Sequence, residues 1–288
     1  MTAFRPSPGG RLIVPAAIVP VRRNATHRSE LTSQWILGEI LIVESTEGSW
    51  VRARGPDGYA GWTPLAPFRH VAFDAEDWDR TATSVSRGTD VSSRDGAGAG
   101  RLERLPWGAR VRRAGHGISD VVLPDGRVVT PLSPERIVLG PDSSTSLSLA
   151  YRLPQTIVAT AREWLGVPYL WGGRTELGAD CSGFVQAVYA TVCLSLPRDS
   201  RDQAAAGEEP PRSGDRPREP GDLLFFAPEG DGITHVAISL GGSRIIHAAS
   251  SNGCVREDDL DDSDPLADLL RASVVRHTRP AAPPAQSV

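Results

Sequence analysis

The chain has 288 residues, is 40% hydrophobic and 23% charged, and carries a net charge of −4. That balance supplies apolar material for two or three cores and excludes the strongly basic surface of a nucleic-acid binder. Three cysteines, Cys181, Cys193 and Cys254, are too few and too scattered for a disulfide framework. Every basic residue is arginine, which the codon bias of a GC-rich genome accounts for. The apolar run Leu12 to Val21 is short, is broken by Pro15 and Pro20, and is followed by no small-residue cleavage pattern. It reads as neither a signal peptide nor a membrane anchor, so the expected compartment is the cytoplasm. A misassigned start or an unrecognised export route is the alternative.

From residue 12 to about 70 the chain reads as short β-strands: LIVPAAIVPV, QWILGEILIVES, SWVRARG and GYAGWTPL. Pro56-Asp57-Gly58 is a turn, with glycine supplying the positive φ. The close strand spacing predicts a small barrel, with Trp35, Trp50 and Trp62 as core or groove aromatics. Residues 71 to about 140 repeat the character more weakly, in WGARVRRAG and VVLPDGRVVTPL, with a second Pro-Asp-Gly turn at 124–126. SSRDGAGAGR lacks the strand–GKS–helix setting of a phosphate loop and reads as a flexible connection.

PDSSTSLSL, near residue 145, reads as a linker. Leu153 to Leu165 is then amphipathic, with Ile157, Ala161, Trp164 and Leu165 on one side. The stretch Tyr169 to Tyr189, YLWGGRTELGADCSGFVQAVY, opens in a glycine-rich approach. It predicts a helix from about Cys181 towards Ala190 and Val192. A thiol in the first helical turn meets partial positive charge that favours thiolate, although inert packing is the commoner fate of a helical cysteine. Gly207 to Pro220 reads as an exposed loop, GDLLFFA, THVAISLGG and RIIHAASS as three antiparallel strands, and the last ten residues as a disordered tail.

Cys181 at a helix start, His235 opening one strand and His247 near the end of the next is the set that cysteine peptidase chemistry needs. A nucleophile, a base and an orienting third member would be supplied in that order. Two competing readings are structural histidines and a metal site built from Cys181, His235, His247 and Cys254. The latter spacing matches no zinc pattern, so no metal and no cofactor are expected. Cys193 and Cys254 lack the Asp-Cys-Ser-Gly setting and read as inert.

ADCSGF, LPRDSRDQ, PGDLLFF, HVAISLG and IIHA, in this order across residues 150 to 277, resemble the NlpC-type cell-wall cysteine peptidases. VRRNATHRSELTSQWILGE followed by DGYAGW is similar to the first of two bacterial SH3-like modules that precede the peptidase in one subgroup, and YLWGGRT is similar to that subgroup's approach to the catalytic helix. The resemblance implies an α+β chain, with a papain-like catalytic domain at 144–278 and a tail at 279–288. SH3-like β-barrels at 1–70 and 71–143 would precede the catalytic domain. It implies hydrolysis of the γ-D-glutamyl–diamino acid bond in murein (peptidoglycan) peptides whose L-Ala has a free amine. Apart from the resemblance, a monomer is expected, and the charge balance and the N-terminal run argue against nucleic-acid and membrane partners.

Carried over by position, Asp180 would pair with the substrate ammonium. Ser182, Ser200 and Trp171 would contact the peptide, and Tyr59 would close the groove over the L-Ala. Asp180 as a helix cap, Tyr59 as barrel core and Arg198 as a structural ion-pair partner are the competing readings. Two departures from the family pattern stand out: Asn24 replaces an expected Glu, and Ser239 a usual Tyr. The alternatives in function are a silent wall-peptide binding protein, which the intact Cys181, His235 and His247 oppose, and an amidase of the same papain-like clan.

Overall fold

The computed structural model describes residues 5–69, 71–93, 102–115, 120–139, 153–192, 194–208, 218–230 and 232–279. Most of the glycine-rich connection, the linker, Cys193, much of the 207–220 loop and the tail lie outside them. The chain divides into two compact units, Met1–Asp142 and Ser143–Val288, each described by itself.

The first unit holds two sheets. One comprises β1 (Arg11–Ile13), β2 (Ile18–Arg22), β3 (Leu31–Ile36), β4 (Ile40–Glu47), β5 (Trp50–Arg54) and β6 (Ala60–Pro64), in the order β1-β4-β5-β6-β2-β3. Its core gathers Val19, Val21, Trp35, Leu41, Val51 and Phe68. Trp35 and Trp50 are buried, whereas Trp62 is half-buried. The run QWILGEILIVES is two strands, because Gly38 (φ 81°) turns the chain between β3 and β4. The Pro-Asp-Gly turns have Gly58 and Gly126 at φ 81° and 89°.

The other sheet comprises β7 (Ser84–Ser93), β8 (Leu102–Arg113), β9 (Val121–Val122), β10 (Val128–Pro131) and β11 (Ile137–Leu139). Its order is β10-β9-β8-β7-β11, and an extra β10–β7 pairing makes it barrel-like. Helix α1 (Ala75–Thr81) precedes it, capped by Asp74 Oδ1, which accepts from the N–H groups of Glu76 and Asp77. The strand-rich reading of 71–140 missed this helix, because its seven residues carry one large apolar anchor, Trp78. That indole is fully buried against Ile13, Ile40 and Ala82, and its Nε1 donates to the Gly38 carbonyl at 3.0 Å.

The second unit begins with α2 (Leu153–Arg162). It ends three residues earlier than the pattern predicts, in a run of turns. Ile157, Ala161 and Trp164 are buried as expected, but Leu165 is 47% exposed, because the chain has left the helical phase by then. The short pair β12 (Arg174–Thr175) and β13 (Gly178–Ala179) leads into α3 (Cys181–Ala190), followed by α4 (Ser200–Ala206). A five-stranded antiparallel sheet follows: β14 (Leu223–Phe226), β15 (His235–Gly241), β16 (Arg244–Ala249), β17 (Cys254–Asp259) and β18 (Val274–Thr278), in the order β17-β16-β15-β14-β18. Helix α5 (Pro265–Ser273) connects its two edges.

All four residues of β14 are buried, as expected of a strand covered on both faces. Leu224 and Phe226 share a core with Leu260 and Leu270 of the α5 side, and alternation turns Leu223 and Phe225 to the opposite face. Among the described residues no helix is long and apolar enough to cross a membrane.

Two local devices carry much of this geometry. At Gly38 an added Cβ would lie 2.2 Å from the Arg110 carbonyl oxygen, and the Arg110 N–H donates to the Leu37 carbonyl at 2.8 Å. Gly38→Ala is therefore expected to cost about 2 kcal/mol or more in urea unfolding of the first unit, from positive φ and overlap together.

In the second unit Asp222, 2% exposed, accepts from His277 Nε2 (2.8 Å), Arg279 Nε (2.8 Å) and the Glu219 N–H (2.9 Å), tying β14 to β18. Burial alone would raise its pKa. The hydrogen bonds from His277 and Arg279 outweigh burial and hold it near 2, against 3.8 ordinarily. A depressed folded value means the contribution is complete above about pH 4 and lost as the pH falls through about 2. Asp222→Asn is expected to lower stability at neutral pH by about 1–2 kcal/mol, discounted for the exposed Arg279. It should also flatten the acid limb between about pH 4 and 2, as read from urea midpoints across that window.

Candidate active site

The approach loop packs on the first turn of α3 because glycines let it. A Cβ on Gly183 would fall 2.1 Å from the Gly173 carbonyl oxygen, and one on Gly173 would fall 2.3 Å from that of Gly178. Residues 166–169 are held from the other side by the edge strand β17. Gly166 N–H donates to Val255 O (2.9 Å), Val255 N–H to Val167 O (2.8 Å), and Tyr169 N–H to Gly253 O (2.7 Å).

Asp180 is the N-cap of α3, 6% exposed. Its Oδ1 accepts from Gly183 N–H (2.8 Å), Arg198 Nη1 (3.0 Å) and Ser182 Oγ (3.3 Å), and its Oδ2 from Gly172 N–H (2.8 Å) and Arg198 Nη2 (2.6 Å). A carboxylate offers about four lone-pair sites, so this one is fully engaged. Arg198 also donates to Ser182 Oγ at 2.9 Å. The segment bearing it is fixed by Gln203 Nε2, which donates to Ser182 O and Pro197 O, and by Gln186 Nε2, which donates to Leu196 O. The Arg198 and Asp180 side chains are 1% and 8% exposed.

Cys181, 7% exposed, stands at the start of α3, its Sγ 4.0 Å from the Thr234 carbonyl oxygen and within reach of the Val236 N–H. The thiol thus lies against both neighbours of His235. His235 Nε2 and His247 Nδ1 are 2.7 Å apart, and His247 Nε2 lies 2.7 Å from Asp258 Oδ2. The ladder pairing Ile238 with Ile246 brings the two histidines to the same end of β15 and β16. With Nε2 of His235 engaged by His247, Nδ1 is its remaining ring nitrogen.

Burial dominates the electrostatics. It pushes the Cys181 thiol up to about 12, with the Asp180 charge adding to it, and pulls His235 down to about 3, with His247 as the second cause. Burial therefore opposes the helix N-terminus at the Cys181 thiol, and it pushes both Cys181 and His235 towards their neutral forms.

Sequence reasoning missed two residues here. Asp258 follows β16 on the next strand, and only the β16–β17 register shows it to be near His247. Tyr169 is half-buried, and its phenol is pushed up by burial and then by the charges of Cys181 and Asp180, with Arg198 opposing.

The remaining predicted residues are spread out. Ser182 is buried in the Asp180–Arg198 network, Ser200 is half-buried at the start of α4, and Trp171 is 57% exposed on the approach loop. Tyr59 belongs to the first unit. It is partly buried against that core, and its N–H donates to Asp57 Oδ1 at 3.0 Å. Asn24 N–H donates to Ser29 Oγ, and Ser239 Oγ accepts from Gly241 N–H. Cys254 is half-buried at the start of β17. No group of His, Cys, Asp or Glu among the described residues is arranged to hold a metal.

Arg198→Leu would leave the Asp180 charge buried without its counter-ion. A loss of about 3–5 kcal/mol is expected in urea unfolding. Arg198→Lys should recover only part, since an ammonium cannot bond both oxygens in the same fork.

Residues 166–273 match the NlpC/P60 family. A γ-D-glutamyl-L-lysine dipeptidyl-peptidase of Bacillus subtilis is 44% identical over 96 residues, which are 33% of this chain and 31% of that protein. A Bacillus cereus protein of the same name is 25% identical over 239 residues, 77% of this chain and 68% of that one. The crystal structure of an NlpC/P60 family protein from Bacillus cereus shares the fold, with a TM-score of 0.73 at 18% identity, over 95% of this chain and 100% of that one. The C-terminal unit of the chain therefore carries an NlpC/P60 peptidase domain.

Proposed function

We propose that the protein is a cysteine endopeptidase that hydrolyses the γ-D-glutamyl–diamino acid bond of murein peptides whose L-Ala carries a free amine. The observation that carries this reading is the Cys181 thiol set against the start of β15, with His235 backed by His247. The names of the two Bacillus relatives support the substrate class. In the proposed reaction His235 Nδ1 takes the thiol proton as Sγ attacks the γ-carbonyl carbon. The oxyanion meets the start of α3 and the Tyr169 hydroxyl. The C–N bond then breaks as His235 returns the proton to the leaving amine, and water, deprotonated by the same imidazole, hydrolyses the thioester.

The free-amine preference is assigned to Asp180 and Tyr59, with Trp171, Ser182 and Ser200 along the peptide. Because Asp180 is fully engaged, an incoming ammonium must displace a donor, and the Ser182 hydroxyl, the longest of its bonds at 3.3 Å, is the one that can turn away. The proposal also takes the two sheets of the first unit as SH3-like modules, the protein as a monomer and its site of action as the cytoplasm, where released peptides are soluble substrates.

Mass-spectrometric product analysis on L-Ala-γ-D-Glu-diaminopimelate, with and without an N-terminal acetyl cap, tests the reading. Cleavage of the free peptide alone is expected, lost in Cys181→Ala. Tyr59→Ala should raise capped-peptide cleavage relative to free. Equal cleavage of both peptides by the wild type would overturn the selectivity, and no cleavage of either would overturn the substrate.

A further inference from the structure

We infer that Asp258 is a positioning residue that selects the reactive tautomer of His235 through His247. The inference rests on the reading of Cys181 and His235 as nucleophile and base. Asp258 and His247 lie diagonally across the β16–β17 ladder, where Asp258 is paired with Ile245 and His247 with Arg256, so both side chains point to one face. The His247 and Asp258 side chains are 1% and 8% exposed, which keeps water from substituting freely for either partner.

The consequence follows from counting protons. A carboxylate only accepts, so the 2.7 Å contact between Asp258 Oδ2 and His247 Nε2 places the neutral ring's single proton on Nε2. His247 Nδ1 is then bare and can only accept. The contact of 2.7 Å with His235 Nε2 therefore requires that nitrogen to carry the proton of the second ring. His235 Nδ1 is left bare, which is the form able to take a proton from the thiol.

Without the carboxylate the opposite chain is equally well bonded. His247 Nδ1–H would donate to a bare His235 Nε2, and the proton of His235 would sit on Nδ1, where it blocks the base. Asp258 breaks this degeneracy, and its negative charge also faces the imidazolium that forms during attack. Among the described residues the charged or titratable groups facing this chain are Arg256 beside Asp258 on β17, the two histidines, and Asp180, Arg198 and Tyr169 around the thiol. Arg256 bonds Asp258 Oδ1, leaving Oδ2 to His247.

Asp258→Asn tests this, because its amide can either accept from or donate to His247 Nε2, and donation enforces the blocked tautomer. The first readout needs no peptide: the iodoacetamide alkylation rate of Cys181 from pH 6 to 9, read by mass spectrometry with Cys254 as internal reference. Alkylation of Cys181 is expected to fall by about 10²-fold, less than the ~10⁴ lost on the same change next to a serine-peptidase base, because a second ring intervenes. Cys254 should be unchanged and Asp258→Glu should restore part of the rate. On the murein peptide the loss should appear in kcat and not in KM, with unfolding midpoints confirming a folded variant.

Equal Cys181 alkylation in wild type and folded Asp258→Asn across the pH range would overturn the inference, whatever the peptide does. A selective loss of Cys181 reactivity with no peptide cleaved by the wild type would uphold it while removing the proposed substrate.

Discussion

The catalytic end of the second unit depends on one buried ion pair. Asp180 receives donors from the approach loop (Gly172), the first turn of α3 (Ser182 and Gly183) and the segment before α4 (Arg198). Three pieces of chain with no regular pairing among them are thus joined at one carboxylate. Burying two charges is costly on its own, and the cost is recovered only because the fork of Arg198 matches both oxygens and backbone N–H groups fill the remaining lone pairs. The same arrangement sets the position of Cys181, one residue along, so the proposed nucleophile inherits its placement from a contact that is itself structural.

The site's electrostatics follow from its dryness. A thiol at a helix N-terminus is ordinarily expected to ionise readily, yet enclosure between α3 and β15 works against the helix contribution and pushes both Cys181 and His235 towards their neutral forms. In the proposed reaction proton transfer accompanies attack, so that the developing charges lie close together and compensate each other. Under the proposed mechanism the location of a single proton on His235 becomes decisive, and through the 2.7 Å contacts of His247 the Asp258 carboxylate two rings away would bear on the thiol.

The first unit shows how short sequence signals are overruled by packing. Trp78 looks like an isolated aromatic in a polar stretch, Asp74 to Arg80, yet it is fully buried and organises a seven-residue helix over the β3–β4 turn. Gly38 permits that turn to touch β8, and a side chain there would occupy the space of the Arg110 carbonyl. Neither contact has a periodic signature, because each is a single long-range meeting.

What the amino-acid sequence determined by itself was the kind of chemistry and the elements that bear it. Asp-Cys-Ser-Gly after a glycine-rich approach announced a helix beginning at a thiol, the runs around His235 and His247 announced neighbouring strands, and the Pro-Asp-Gly turns announced tight reversals. These are local statements, governed by backbone preference and periodicity over a few residues. Only the tertiary structure decided the rest. Asp258 backs His247 through strand register, Arg198 takes both oxygens of the Asp180 carboxylate, and Leu165 falls outside the helix whose pattern it continued. Register, ion pairing and solvent exclusion are set by residues tens of positions apart, and no local pattern in the chain encodes which of them meet.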